Sequence, residues 1–97
     1  MKNLTEFAII LNKKDTVATA LRELDCGDYA HDGNQITITQ NIPIGFKVAL
    51  KNITKGDKVF KYGYPIGLAT ADIKFGEMVH THNLISAINT SGRPSGT

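Results

Sequence analysis

Apolar and polar residues alternate over short distances along most of this chain, which predicts short β-strands. The run Phe7–Leu11 is apolar and rich in β-branched side chains, as is typical of a buried strand. From Gln35 to Gln40, isoleucine and threonine alternate, which predicts a strand with one buried face. Further strands are predicted at Phe46–Leu50, Lys58–Tyr62, Ile66–Ala69 and Met78–His82.

Turns rich in glycine, proline and asparagine separate these strands at intervals of roughly eight to twelve residues. They are predicted at His31–Asn34, Asn41–Gly45, Lys55–Asp57 and Phe75–Glu77. Such spacing favours an irregular all-β barrel or roll. No internal repeat is recognised along the chain.

One segment has helical spacing instead. Asp15-Thr16 offers an N-cap, and apolar residues recur at helical intervals from Val17 to Leu24. Gly27 is suited to end such a helix. The predicted fold class is therefore mainly β with one short helix.

The chain has 97 residues, which suits a single domain with a thin core. On such a domain, binding sites tend to lie in surface clefts or at seams between subunits. Residues 1–88 are predicted to form the folded domain. The segment 89–97 contains no large apolar residue and is interpreted as a flexible tail or the start of a linker.

The net charge is only +2, so the composition does not favour a nucleic-acid-binding protein. The densest basic segment, from Lys47 to Lys61, is interpreted as a solvated surface or as one or two lysines that face an anionic small molecule. The single cysteine, Cys26, excludes an intrachain disulfide and suits a reducing compartment. No signal peptide or membrane-length apolar stretch is recognised, so we expect a cytoplasmic protein that does not engage a membrane.

Two histidines flank one threonine in the last predicted strand. Residues i and i+2 of a strand point to the same face, so His80 and His82 are expected to lie side by side. The pair is interpreted as ligands of one metal ion, as two proton-transfer groups, or as exposed surface residues. Asn83 follows directly and either orients a polar ligand or ends the strand.

A second candidate is Lys61-Tyr62-Gly63, in which a cation lies beside a phenol and a flexible backbone point. It is interpreted as a carboxylate-binding element, or as a strand that simply ends in a turn. Asp72 is favoured as a capping residue over a general base or metal ligand. His31, in a turn, is expected to face solvent. We find no pairing of nucleophile and base that would predict a small hydrolase.

Six segments occur together in the order and spacing of a known family. They are Asp15–Ala18, Ile42–Leu50, Ile53–Gly56, Lys61–Gly67, Ala69–Ile73 and Val79–Leu84. On these segments the chain resembles the N-terminal domain of altronate dehydratase and its relatives, which include galactarate dehydratase and the small subunit of sulfolactate sulfo-lyase. The resemblance implies a single β-clip domain of the SAF type.

The resemblance also implies an activity, the elimination of water or sulfite from a sugar acid or related α-hydroxy acid, assisted by a divalent metal such as iron. The implied partner is a large dehydratase-type subunit or C-terminal domain, which would supply most of the ligands of the metal. Self-association of this chain is a further alternative. Such a reaction needs a base beside the carboxylate and a Lewis acid for the developing charge. Carried over to this chain, the implied substrate contacts are Lys47, Lys61, Tyr62 and Asn83, and the implied catalytic or metal-binding residues are His80 and His82.

One position departs from the family pattern. The bend usually reads Gly-His-Lys, whereas this chain has Phe46 between Gly45 and Lys47. Two functions therefore stay open. The first is a small subunit or N-terminal domain that completes the active site of a metal-dependent lyase and has no activity alone. The second is a free-standing module that binds a carboxylate ligand or a protein partner without turnover.

Overall fold

A computed structural model describes residues 1–86, which form short strands and one single-turn 3₁₀ helix at Leu4–Glu6. The strands are β1 Lys2–Asn3, β2 Ala8–Ile9, β3 Val17–Ala20, β4 Gly27–His31, β5 Asn34–Ile38, β6 Lys47–Ala49, β7 Lys58–Lys61, β8 Tyr64–Ala69, β9 Met78–Val79 and β10 Leu84–Ser86. The predicted mainly β fold class is confirmed. The predicted domain end at residue 88 and the tail 89–97 lie outside the described residues.

The strands assemble into three small sheets. The central sheet has the order β2-β3-β6-β9 and is antiparallel throughout. A second sheet, β1-β4-β5, contains one parallel pair between β1 and β4. The third sheet, β10-β8-β7, is antiparallel. No helix within residues 1–86 is long and apolar enough to cross a bilayer.

Two apolar cores lie on opposite faces of the central sheet. The first core is formed by Leu4, Ala8, Ala18, Ala20, Leu24, Tyr29, Ile36, Ile38, Ile42 and Val48. The second core is formed by Val17, Ala49, Ile53, Val59, Ala69, Ile73 and Val79. Neighbouring residues of β3 and of β6 enter different cores, because successive side chains of a strand point to opposite faces. The central strands are therefore covered on both sides.

The segment predicted to be a helix is instead β3, a strand inside the central sheet. Val17 pairs with Ala49 of β6 in an antiparallel register. The helical prediction is wrong because β3 is buried on both faces and lacks the alternation of a half-buried strand. Asp15 and Thr16 cap no helix; both are buried, and their side chains bind the backbone of the β7–β8 hairpin.

One turn motif occurs three times, so the expectation that the chain has no internal repeat is also wrong. The copies are Ile42–Val48, Ile53–Val59 and Ile73–Val79, each with isoleucine first, glycine fourth and valine seventh. The three glycines have positive φ angles of 86°, 93° and 91°, which a residue with a side chain rarely adopts. The copies share only three of seven residues, and what makes them equivalent is their common backbone conformation.

Each copy of this motif clamps one alanine of a neighbouring strand. The glycine amide donates to the alanine carbonyl, and the alanine amide donates to the carbonyl of the residue after the glycine. The alanine, glycine and following residue are Ala20, Gly45 and Phe46 in the first copy, Ala69, Gly56 and Asp57 in the second, and Ala49, Gly76 and Glu77 in the third. The three turns therefore serve the same backbone purpose.

The predicted turns and most predicted strands are confirmed, but the last strand is shorter than expected. β9 ends at Val79, and a turn then leads to β10, which was not predicted. β10 approaches β8 so closely that a Cβ on Gly67 would lie 2.0 Å from the carbonyl oxygen of Ile85. Gly67 thus permits the strand pairing that closes the third sheet.

Candidate substrate-binding site

The four residues His80–Asn83 form a β-turn after β9. The amide of Asn83 donates to the carbonyl of His80 at 3.0 Å. The prediction that His80 and His82 share one face of a strand is therefore wrong, because the strand ends at Val79. His80 is half-buried, whereas His82 is exposed.

Asn83 stabilises this turn through both ends of its side-chain amide. Its Oδ1 accepts from the amide of His80, and its Nδ2 donates to the carbonyl of Met78, both at 2.9 Å. Only 8% of Asn83 is exposed. Asn83 therefore fixes where the His80 backbone lies, and direct contact with a substrate stays a prediction.

The His80 side chain is stacked on Phe46. The ring centroids are 3.8 Å apart and the ring planes differ by 15°. Phe46 also packs against the first core, so one partner of the stack is anchored to the interior. A stack of this kind covers one face of the imidazole but not its edge, where both nitrogens lie.

Lys47 begins β6 and lies between Thr19 and Val79 in the register of the central sheet. Val79 belongs to the second core, whereas Phe46 packs against the first. Strand alternation therefore places Lys47 and the His80 stack on opposite faces at the same end of the sheet. The predicted site residues fall into two neighbouring groups.

The Lys47 ammonium is half-buried and has a second cation nearby. Burial lowers the pKa of Lys47, and the positive charge of Lys61 lowers this pKa further. No carboxylate of residues 1–86 acts on Lys47 strongly enough to offset these two effects. A partly desolvated cation beside another cation favours the binding of an anion.

Lys61 and Tyr62 lie at the tip of the β7–β8 hairpin. The φ angle of Tyr62 is 56° and that of Gly63 is 82°, which matches a two-residue turn of type I′. A bulky residue at such a φ angle is rare and costs on the order of 1–3 kcal/mol. The Lys61 ammonium lies 5.0 Å from the centroid of the Tyr62 ring, which is a cation–π distance.

Two polar residues, predicted from the sequence to cap a helix, hold this hairpin instead. Asp15 Oδ1 accepts from the amide of Gly63 at 2.8 Å, while its Oδ2 accepts from two amides of the preceding loop. Thr16 Oγ1 accepts from the amide of Phe60 at 2.9 Å. Asp15 and Gly63 are 48 residues apart, so no local pattern could reveal this contact. Two buried side chains from outside the hairpin therefore help to hold its strained tip.

The divalent metal implied by the resemblance does not fit these residues as a complete centre. Residues 1–86 contain no group of three or more histidine, cysteine or acidic side chains placed to hold a metal ion. His80 is stacked on Phe46, and His82 is exposed in the turn. A metal centre of the usual kind therefore needs ligands from outside residues 1–86.

Another part of the surface forms an open cleft of about 860 Å³, which includes none of the predicted site residues in its lining. Its lining is Thr5, Ile10, Leu11, Asn12, Lys13, Asp15, His31, Asp32, Leu50 and Lys51. His31 was expected to face solvent, but it is half-buried, and its Nδ1 has no hydrogen-bond partner among residues 1–86. The cleft carries two lysines and two aspartates, so its charge favours an anion less than the Lys47–Lys61 pair does.

The fold and the site together define a class of protein. Short clamped strands around two cores form a β-clip domain of the SAF type, with two lysines and a strained hairpin tip at one end. The family model of the altronate/galactarate dehydratase SAF domain matches residues 6–87. The chain belongs to this family.

Its relatives carry the domain in two different settings. The chain is 42% identical to altronate dehydratase from Bacillus subtilis (strain 168) and 45% identical to altronate dehydratase from Escherichia coli (strain K12), each over 76 residues. These matches cover 77% of this chain and only 15% of each relative. The chain is also 49% identical over 49 residues to (2R)-sulfolactate sulfo-lyase subunit alpha of Paracoccus pantotrophus, which covers 50% of this chain and 73% of that subunit.

Proposed function

We propose that this chain is the small subunit or N-terminal domain of a lyase that eliminates water or sulfite from a sugar acid or related α-hydroxy acid. The family supports this, as do the altronate dehydratases and the sulfo-lyase subunit among its relatives. The chain spans 15% of the length of those dehydratases, which supports a larger chain or domain as the source of most of the active site. The exposed Cys26 thiol is compatible with action in the reducing cytoplasm.

The family match over residues 6–87 carries this proposal, and two lysines support it. Lys47 is half-buried, lies near Lys61, and has a lowered pKa for both reasons. A substrate carboxylate bound between the two ammonium groups would favour the charged form of each and offset the desolvation of Lys47. Tyr62 adds a phenol that can donate to the same carboxylate or to a neighbouring hydroxyl group.

The remaining predicted residues are assigned by their position. His80 lies at the same end of the sheet and is proposed to carry a proton during the elimination. His82 is exposed in the same turn and is proposed to contact the substrate or the larger chain. The divalent metal is proposed to be held by the larger chain, so none of these roles depends on a metal site in this one.

The experiment combines this chain with the large dehydratase-type chain and measures elimination from α-hydroxy acids. Lys47→Met and Lys61→Met are expected to raise KM by about 10- to 100-fold, since each removes a charge-assisted bond of about 1.5–3 kcal/mol. Lys58→Met is the matched control, because Lys58 is exposed on the same hairpin. A large chain that is equally active without this one would overturn the proposal.

A second function, ligand binding without turnover, is favoured by Phe46, which stands where the resemblance implies a histidine. In that case sugar acids should raise the melting temperature of this chain alone, and Lys47→Met should abolish the shift. The larger chain would then show the same activity with or without this one. The two functions are separated by which of these two measurements responds.

A further inference from the structure

The second and third copies of the repeated turn cap themselves with an acidic side chain. Asp57 Oδ2 accepts from the amide of Thr54 at 3.0 Å. In the same way, Glu77 Oε1 accepts from the amide of Lys74. The acid follows the glycine in both copies, and the amide belongs to the residue after the isoleucine. In these two turns the side chain after the glycine therefore caps the backbone.

The first copy has no such cap. Its residue after the isoleucine is Pro43, which has no amide hydrogen to be capped. An acid at the equivalent of Asp57 would therefore have no donor in its own turn, and the chain has Phe46 there instead. The backbone of the first copy is otherwise the same, with Gly45 at a φ angle of 86° and the same clamp on Ala20.

Because no cap is needed at this position of the first copy, its side chain can make a different contact. Phe46 contacts His80. Phe46 fixes the ring plane through the stack at 3.8 Å, while Asn83 fixes the backbone amide of His80 at 2.9 Å. Backbone and ring of one histidine are therefore held by two independent residues. Such double support is more than an exposed surface histidine requires.

We propose that Phe46 is a positioning residue for His80, and that the first copy of the turn can carry it because Pro43 leaves no amide to be capped. The stack restricts the imidazole to one plane and presents its nitrogens edge-on at the end of the central sheet. The consequence for activity rests on the function proposed above, but the positioning itself does not. Phe46 acts through His80 and need not touch the substrate.

The test restores the missing cap and removes the ring. In the double variant Pro43→Thr with Phe46→Asp, the first turn copies the second, so the fold is expected to persist, with an unfolding midpoint lowered by the lost packing of Phe46 on the first core. The His80 ring protons, followed by NMR in the full chain, are expected to lose the upfield shift caused by the stacked ring. Phe46→Tyr is expected to keep that shift, and Phe75→Leu, which alters another aromatic on the first core, is the control.

The same variants are then assayed with the larger chain. The double variant is expected to lower kcat by about 10- to 100-fold through misplacement of His80, with KM little changed. Phe46→Tyr is expected to keep the kcat of the wild type. Unchanged His80 resonances in a folded double variant would overturn the positioning role. Shifted resonances with full activity would support positioning and would instead remove His80 from the proposed reaction.

Discussion

The turn at Pro43–Phe46 and the turns at Thr54–Asp57 and Lys74–Glu77 have one backbone and two different uses. The latter two carry charged side chains and cap themselves. The first carries no charge, exposes 66% of Ile44, and places Phe46 on His80. The same backbone clamp therefore occurs in all three turns, but only two of them use the residue after the glycine as a cap. In the first turn Pro43 has no amide to cap, so Phe46 at that position can contact a candidate site residue.

The largest expected effect tests how differently the copies are packed. Gly76→Ala would place a Cβ 2.1 Å from the carbonyl oxygen of Thr37, at a φ angle of 91°. Gly45→Ala has a similar φ angle of 86° but nothing within 4 Å of the new Cβ. We expect the free energy of unfolding to fall by more than about 3 kcal/mol in Gly76→Ala and by about 1–2 kcal/mol in Gly45→Ala, as measured by urea unfolding. Equal losses would show that backbone conformation alone sets the cost.

The next effect concerns the residue that fixes His80 from the other side. Asn83→Ala removes one hydrogen bond to His80 and one to Met78 from a buried position, which should cost about 2–3 kcal/mol. Asn83→Asp keeps the acceptor for the His80 amide but loses the donor to Met78 and buries a charge, so it should cost at least as much. Denaturant unfolding gives the stability, and the His80 ring shift reports the local effect. A shift that is unchanged in Asn83→Ala would mean that Phe46 alone suffices to hold the ring.

A smaller effect is expected from returning a charge to the uncharged turn. Ile44→Lys copies Lys55, its equivalent in the second turn. If the uncharged turn faces the larger chain, the variant should weaken assembly by about tenfold, as measured by calorimetry. Lys55→Ile is the reciprocal control and should leave the affinity as it is. Equal effects of the two variants would remove the functional distinction between the turns.

Loss of a self-cap is expected to cost less again. Asp57→Ala leaves the amide of Thr54 without its acceptor and should destabilise the chain by about 1 kcal/mol. Phe46→Asp with Pro43 retained should also lose stability, because there is no amide to cap and the packing of Phe46 on the first core is removed. Thermal unfolding of the two variants checks both. A stabilising Phe46→Asp would show that the acid finds another donor.

The smallest effect is the pH dependence of Lys47. Its pKa is lowered in the folded chain, so the unfolded chain binds more protons between that value and the ordinary 10.5. The contribution of Lys47 to stability therefore rises with pH through this window. Lys47→Met should remove that rise and gain less than about 1 kcal/mol at neutral pH, since the lysine is partly exposed.

Tyr29 changes the stability in the opposite direction as the pH rises, so its effect has to be separated from that of Lys47. Burial raises the pKa of Tyr29 above 10.0, so its contribution to stability falls as the pH rises past that value. The measurement is therefore the difference in unfolding free energy between the wild type and Lys47→Met from pH 7 to pH 10. Lys58→Met is the control, and a difference that does not change with pH would contradict the lowered pKa.

Much of this protein was already determined by the sequence alone. Strand and turn positions followed from alternation and from glycine, proline and asparagine, because both signals act between near neighbours in the chain. The family followed from six ordered motifs, and the comparison with known relatives confirmed it. The turn after Lys61 could be predicted because its signal is local, whereas substrate binding by Lys61 and Tyr62 stays a prediction.

Only the tertiary structure decided the rest. β3 is a strand because two cores cover both of its faces, and burial on both sides removes the pattern that marks a strand. Asp15 reaches Gly63 across 48 residues, and Phe46 meets His80 through the pairing of β6 with β9. Such contacts depend on which surfaces meet after folding, whereas the patterns read from a sequence report only what neighbouring residues prefer.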